Sequence, residues 1–225
     1  MIHYHGTPIT PRSQLQRMNG RHFCVSYAEP RDLRPCLEIG QSVMLDNGAF
    51  SAFTRGVKPN WNQYYGWLEP VLTHPHFAII PDVIDGTPEQ QDELCEAWPF
   101  ADYLGAPVWH LHEPIERLID LVSAGWPRVC FGSSGEYWII NSPKWCGRMD
   151  EAFNELVRQF TDIPWIHGLR MLGQCDGDWP LASADSTNVA QNFKVYGCAE
   201  CMAARIDAKQ PPSLWAPRDI QMVLS

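Results

Sequence analysis

The sequence predicts an α/β protein whose residues 1–225 form one domain, a compact and shortened (β/α)8 barrel of the TIM type. Two observations lead to this prediction. Short apolar runs alternate about eight times with helical segments, and several of the runs end directly in Asp, His or Gly. The hydrophobic content of 45% is enough for a sizeable core. A doubly wound sheet is the alternative, although no glycine-rich dinucleotide fingerprint follows any strand.

The amino-terminal half contains four predicted strands, each a short apolar run closed by Gly, Pro or Asp. These strands cover residues 2–5, 22–27, 42–46 and 77–82. Between them, helices are predicted at residues 11–18 and 60–72, and a short helix or loop at residues 30–37. Asn60 is a suitable amino-terminal cap for the third helix, whose apolar residues recur at helical spacing.

The carboxy-terminal half continues the same alternation. Strands are predicted at residues 107–112, 128–131, 165–172 and 181–184. Helices are predicted at residues 87–98, 114–123, 148–160 and 186–196. Thr87 followed by Pro88 is a typical helix start, because threonine caps the first turn and proline fits its first position.

The net charge of −9 argues against non-specific binding of nucleic acid by the whole surface. Residues 1–34 nevertheless carry five arginines against two acidic residues. This run is interpreted either as a solvated face or as a phosphate-contacting patch. Some of the ten tryptophans could likewise be packing residues or stacking walls for a planar ligand.

The eight cysteines are not expected to form a disulfide framework in a chain of this length. The first residues lack the basic start and apolar run of a signal peptide, and no apolar segment approaches the length of a membrane span. A reducing cytoplasm is therefore the expected location. Cys198 and Cys201 have the spacing of half a zinc site, but no histidine follows them.

Chemically active residues collect at the ends of the predicted strands, which meet on one face of a barrel. Several carboxylates on one face repel one another unless a ligand, metal or proton compensates their charge, so the set indicates a site. Any one of them alone is more typical of a helix cap. The strand-end residues are Asp46, Asn47, Asp82, Asp85, His110, His112, Gly132, Ser133, Asp185 and Ser186.

His110 and His112 lie two residues apart on one predicted strand and therefore point to the same face. Such a pair can bind a metal, with Glu113 or a barrel aspartate completing the site. A pair of hydrogen-bonded barrel histidines is the simpler interpretation.

Four segments together resemble the tRNA-guanine transglycosylase superfamily, and most closely its phage and bacterial branch that inserts 7-deazaguanines into DNA. Residues 45–51 (LDNGAFS) resemble the Asp-Ser-Gly-Gly-Phe-type motif of these enzymes. Residues 81–85 resemble their base-recognition strand, residues 131–135 their glycine-rich base-binding loop, and residues 183–187 the segment with the nucleophilic aspartate. The segments occur in the family's order and span most of the chain.

The resemblance implies a catalytic barrel that replaces guanine in a nucleic acid with a base of the 7-cyano-7-deazaguanine type. DNA is the expected substrate, and tRNA is the alternative. The implied reaction is a double displacement through an aspartyl-sugar intermediate, with Asp185 as nucleophile and Asp46 handling the proton. No cofactor is required. Base contacts are expected from Asp82, Asp85, His110, Gly132, Ser133, Asn47 and Phe50, with Met171 as an alternative cover for the ring.

Two features depart from the family. The chain is shorter than the tRNA enzymes, and their Cys/Cys/Cys/His zinc site is reduced at best to Cys198 and Cys201. A DNA substrate also requires arginines beside the barrel opening and predicts strong salt dependence of binding. The expected arginines are Arg12, Arg17, Arg21, Arg55 and Arg170.

Two other functions are consistent with the same residues. One is a metal-dependent barrel hydrolase built on His110 and His112. The other is a non-catalytic barrel that binds a nucleobase or nucleic acid. Additional proteins that open the duplex or prepare the base are conceivable partners of any DNA-modifying barrel.

Overall fold

A computed structural model describes residues 1–219 as a barrel of parallel strands surrounded by helices. Residues 220–225, which the predicted domain includes, lie outside the described part. The strands are β1 (Ile2–Gly6), β2 (His22–Ser26), β3 (Ser42–Asp46), β4 (Phe77–Ile79), β5 (Gly105–Ala106), β6 (Val108–His110), β7 (Arg128–Gly132), β8 (Trp165–Gly168) and β9 (Ser183–Ser186). The helices are α1 (Arg12–Gln16), α2 (Leu33–Ile39), α3 (Ala49–Arg55), α4 (Trp61–Leu68), α5 (Pro88–Glu96), α6 (Ile115–Ser123), α7 (Pro143–Gln159), α8 (Asn188–Asn192) and α9 (Ala199–Asp207).

Every strand pairing is parallel, in the order β5-β4-β3-β2-β1-β9-β8-β7-β6. The two end strands, β5 and β6, are consecutive in the chain and separated only by Pro107, which has no N–H for the ladder. The carbonyl of Ala106 accepts from Ile80 N (3.0 Å) on one side, and the carbonyl of Pro107 accepts from Cys130 N (2.8 Å) on the other. The sheet is thus a nearly closed barrel, which confirms the predicted fold class and excludes the doubly wound sheet.

Alternate side chains along each strand point into the barrel, as the two-residue period requires. Tyr4, Cys24, Met44, Phe77 and Cys130 pack together as the buried interior. The opposite faces of the strands pack against the surrounding helices in two larger apolar clusters. This alternation decides which strand-end residues face the barrel opening.

The structure corrects several predicted elements. Helices α3 and α9 were not predicted; both are short, and the apolar stripe of α9 consists of the small residues Ala199 and Ala203 with Met202 and Ile206. The strand predicted at residues 165–172 ends at Gly168, since Arg170 has a left-handed backbone with φ of 59°. The last strand begins later than predicted and includes Asp185, because its register pairs Asp185 with Tyr4 of β1.

Cys198 and Cys201 form a disulfide at the start of α9, whereas no disulfide was expected from the sequence. The other six cysteines are free thiols, four of them buried. In the disulfide form the two sulfur atoms are not thiolate ligands, so this geometry does not fit the predicted zinc half site. Within residues 1–219, no helix is both long enough and apolar enough to cross a membrane.

Candidate active site

A cavity opens at the carboxyl ends of the strands, where barrel sites are generally found. Its volume of about 180 Å³, compared with about 10–15 Å³ for one water, leaves room for roughly a dozen non-hydrogen atoms. Strand ends from all around the barrel contribute to its wall. The lining residues include Gly6, Thr7, Ser26, Asp46, Asn47, Phe50, Ile79, Asp82, Ile84, His110, Gly132, Ser133, Trp138, Arg170, Asp185 and Thr187.

Asp46, the last residue of β3, is an acid adapted to gaining and losing a proton near neutral pH. Burial raises the pKa of Asp46 to about 6, and the negative charges of Asp185 and Asp82 act in the same direction. Hydrogen bonds from the Ser26 hydroxyl and from Gly48 N (3.1 Å) oppose the rise in pKa. Gly48 has φ of 77°, so the turn that brings its N–H to Asp46 favours glycine.

Asp185 on β9 is held by contacts that all fall on one of its oxygens. Its Oδ1 accepts from Arg170 N at 2.8 Å and lies 3.3 Å from His167 Nε2. Within residues 1–219 the other oxygen, Oδ2, has no protein hydrogen-bond partner. Asp185 is therefore an anchored carboxylate in the cavity wall with one oxygen left for a ligand.

Asp82 is buried between two neighbouring side chains after β4. Its Oδ1 accepts from Asn47 Nδ2 at 2.7 Å, and its Oδ2 lies 3.0 Å from His110 Nε2. Asn47 Nδ2 also donates to the carbonyl of Ile80 (2.8 Å), and its Oδ1 accepts from Ala49 N (2.8 Å). One amide hydrogen of Asn47 is thus bonded to Asp82 and the other to the Ile80 carbonyl, while Asn47 itself also lines the cavity.

His110 and Gly132 fit closely together on adjacent strands. A Cβ on Gly132 would lie 3.2 Å from His110 Nδ1 and 3.3 Å from the side chain of Val108, so a larger residue would require these side chains to move by a few tenths of an ångström. Next to Gly132, Ser133 Oγ accepts from Trp145 Nε1 (2.9 Å). His110 Nε2 is buried 3.0 Å from Asp82 Oδ2, although this contact does not have the geometry of a good hydrogen bond.

An aromatic rim, defined here as Phe50, Trp138 and Arg170, borders the cavity. The Arg170 guanidinium lies 4.0 Å from the centre of the Phe50 ring and 4.9 Å from that of Trp138. The two rings are 5.6 Å apart, and 42% of Trp138 is exposed. Burial lowers the pKa of Arg170, whereas the charges of Asp185 and Asp46 raise it. The rim offers flat faces and one cation.

Two predicted base contacts are not in the cavity. Asp85 is exposed in a turn of the loop after β4 and is not among the residues that line the cavity. Met171 is fully buried in the apolar layer outside the barrel and packs against Gly168. Met171 is therefore a core residue. Phe50 and Trp138 line the cavity instead and are the side chains that could stack on the ring of a base.

The predicted arginines are not gathered at the cavity. Arg21 precedes β2 at the opposite end of the barrel and pairs with Asp207, so its assignment to the cavity opening was wrong. Arg17 pairs with Glu200 at 3.5 Å. Arg12 and Arg55 are exposed on the segments that follow β1 and β3. Of the five, Arg170 lines the cavity.

His110 and His112, considered above as an alternative metal pair, have separate partners. His110 lies against Asp82, whereas His112 is exposed and its Nδ1 lies 2.6 Å from Ser134 Oγ. Glu113 is paired with Arg117 at 2.8 Å. No group of three or more His, Cys, Asp or Glu side chains suited to a metal ion occurs in the described part of the chain.

Sequence reasoning missed His167, Ser26 and Trp138. His167 points into the barrel from β8, on the same face of the strand as Trp165. Its two-residue spacing from Trp165 was a usable signal of this orientation. Trp138 follows the predicted glycine-rich loop and carried no local signal. No family model, curated protein or solved structure matches the chain.

The arrangement combines an anchored carboxylate, a second acid with a raised pKa, and a polar wall opposite a rim of flat groups. Enzymes that catalyse displacement at a sugar carbon commonly use two carboxyl groups in unlike environments, one as the nucleophile and one as the proton donor to the leaving group.

Proposed function

We propose that the protein is a base-exchange transglycosylase that replaces guanine in DNA with a 7-deazaguanine of the 7-cyano type. The observation that carries this proposal is the placement of Asp46 and Asp185 in one cavity in unlike environments. Asp185 is anchored through Oδ1 with Oδ2 unpaired among residues 1–219, and the pKa of Asp46 is raised to about 6. The motif resemblance described above supports the same reaction.

The reaction proceeds in two balanced displacements. Asp185 Oδ2 attacks C1′ of the nucleotide, the C1′–base bond breaks, and its electron pair leaves with the guanine, which takes a proton from Asp46. The incoming 7-deazaguanine then gives a proton to the Asp46 carboxylate and attacks C1′, which releases Asp185. A pKa near 6 suits a group that is acid in one half and base in the other.

The cavity wall beside Asp46 has groups suited to the edge of a guanine-like base. A carboxylate offers about four acceptor positions, so Asp82 can accept from a base after its contacts with Asn47 and His110 are counted. His110 lines the cavity beside Asp82, and a hydrogen on its Nε2 would help to hold the Asp82 carboxylate toward the base. The aromatic rim supplies a stacking surface for the ring face.

The protein is best suited to binding DNA as a single strand whose bases are unstacked. Phe50 and Trp138 can stack bases, while only a few arginines are placed to meet phosphates. A target base must leave the duplex to enter a cavity of this kind, so single-stranded or opened DNA is the expected substrate.

The direct test is to incubate the protein with single-stranded DNA and a labelled 7-deazaguanine, and to measure the label in DNA nucleosides by mass spectrometry. We expect incorporation by the wild type and its loss in Asp185→Ala. Asp120→Asn, an exposed aspartate of α6, is the matched control and should retain activity.

Three outcomes would contradict parts of the proposal. Equal incorporation by Asp185→Ala would remove the assigned nucleophile. Binding of the deazaguanine without exchange on any DNA or RNA would favour a nucleobase-binding barrel. Hydrolytic activity that tracks stoichiometric metal at His110 and His112 would favour the hydrolase.

A further inference from the structure

A column of polar side chains from β8 and β9 runs inside the barrel from the cavity toward its other end. Trp165 Nε1 donates to Ser183 Oγ at 2.6 Å, and His167 Nδ1 lies 2.7 Å from the same oxygen. His167 Nε2 lies 3.3 Å from Asp185 Oδ1. The column therefore ends at Asp185, the carboxylate that acts as the nucleophile in the proposed function.

The chemistry of these groups decides where the hydrogen on His167 resides. The indole N–H of Trp165 can only donate, so Ser183 Oγ must be its acceptor. Because the Asp185 carboxylate can only accept, His167 Nε2 carries the hydrogen that faces Oδ1, and Nδ1 is then the acceptor for the hydrogen of the Ser183 hydroxyl. The neutral imidazole carries its hydrogen on Nε2, facing Asp185 Oδ1.

We propose that His167 is a positioning residue in its Nε2–H tautomer, set by the Asp185 carboxylate and supported by Trp165 through Ser183, and that it orients Asp185. Its part in catalysis rests on the proposed function, whereas the tautomer does not. His167 and Arg170 N–H together hold Oδ1, so that Oδ2 is presented to C1′. His167 itself does not line the cavity and acts only through Asp185.

The surroundings leave the ring little freedom to turn. His167 and Ser183 are fully buried. The rings of Tyr4 and Phe77 lie edge-on to the imidazole, with centroids 5.9 and 6.1 Å away. A flipped ring would lose the contacts with both Ser183 and Asp185, and each unpaired polar atom in this interior would be costly.

The tautomer can be observed directly by NMR on the intact protein labelled with ¹⁵N-histidine. The His167 signals are assigned by their disappearance in His167→Gln. We expect the coupling pattern of a ring protonated at Nε2 at neutral pH, and a gain of the Nδ1–H form in Trp165→Phe, which keeps a ring but removes the donor. A His167 ring protonated at Nδ1 in the wild type would overturn the proposal.

Kinetics test the positioning role with a pair of amide substitutions. His167→Gln can place an amide N–H near the position of Nε2, whereas His167→Asn places it near Nδ1, toward Ser183. We expect His167→Asn to lower kcat about 100-fold with little change in KM, and His167→Gln to recover most of this loss.

Equal losses in the two variants, with thermal unfolding showing that both fold, would overturn the positioning role. Absence of exchange activity in the wild type would instead remove the proposed function. The NMR result would still stand in that case, so the two failures are distinguishable.

Discussion

Asp46 illustrates how burial gives one residue a role that its identity alone does not specify. Its ordinary pKa of 3.8 is raised to about 6 by burial and by two neighbouring carboxylates. Below pH 3.8 the group is protonated in both the folded and unfolded chain. As the pH rises toward 6, the unfolded chain releases this proton more readily, so the folded protein loses stability over that window.

Asp46→Asn should therefore stabilise the protein at neutral pH and not at pH 3.8. One pKa unit corresponds to about 1.4 kcal/mol, and the pKa rises from 3.8 to about 6, so the gain above pH 6 is on the order of 3 kcal/mol. Urea unfolding at several pH values measures it, with the exposed Asp120→Asn as control. A gain that is the same at pH 3.8 and 7 would show that the pKa is not raised.

The same residue predicts the pH dependence of the exchange reaction. The first displacement requires protonated Asp46, so kcat/KM for the DNA substrate should fall as the pH rises above about 6. Asp46→Asn should lose most of the activity, by about 100-fold or more, because its amide does not transfer the proton. A rate that stays constant between pH 6 and 8 would contradict the assignment of Asp46 as the acid.

At the scale of elements, the segments that follow the strands determine what enters the cavity. Helix α3 brings Ala49, Phe50 and Ser51 to the cavity wall directly after the Gly48 turn. The segment after β7 brings Trp138 to the other side of the aromatic rim. Both segments are short, so the rim is held by the barrel rather than by a long loop.

Trp138→Ala should weaken binding of single-stranded DNA. Loss of one base-stacking surface costs about 1–3 kcal/mol, which corresponds to at least a fivefold rise in Kd. The matched control is Tyr103→Ala, an exposed aromatic that precedes β5 at the opposite end of the barrel. Fluorescence anisotropy with a labelled oligonucleotide measures both, and equal effects of the two substitutions would exclude the rim as the binding surface.

At the scale of the whole molecule, the charge of −9 and the scattered arginines set the electrostatics of binding. The sequence predicted strong salt dependence from five arginines near the opening. In the structure, Arg21 lies at the far end of the barrel and Arg17 is paired with Glu200. Arg12, Arg55 and Arg170 remain as candidates for phosphate contacts.

We therefore expect weak salt dependence of DNA binding. With about 0.7 counterions released per phosphate contacted on a single strand, the slope of log K against log salt should be no steeper than about −2. Binding isotherms at several salt concentrations give this slope, and Arg170→Gln should make it shallower. A slope near −5 would indicate a basic surface that the arrangement of these arginines does not contain.

The sequence by itself determined the barrel and most of the cavity wall. Apolar runs with a two-residue period form buried strands, and a residue directly after such a run lies at a known end of the sheet. For this reason Asp46, Asp82, His110, Gly132 and Asp185 could be placed at one face without a structure.

Only the tertiary structure decided how these residues are paired and charged. The partnership of His167 with Asp185 depends on the register of β8 and β9, and the raised pKa of Asp46 depends on charges carried by other strands. Arg21 was misplaced because clustering along the chain does not specify an end of the barrel. Local periodicity fixes the direction of a side chain, whereas distances between strands arise from closure of the sheet, which no short segment encodes.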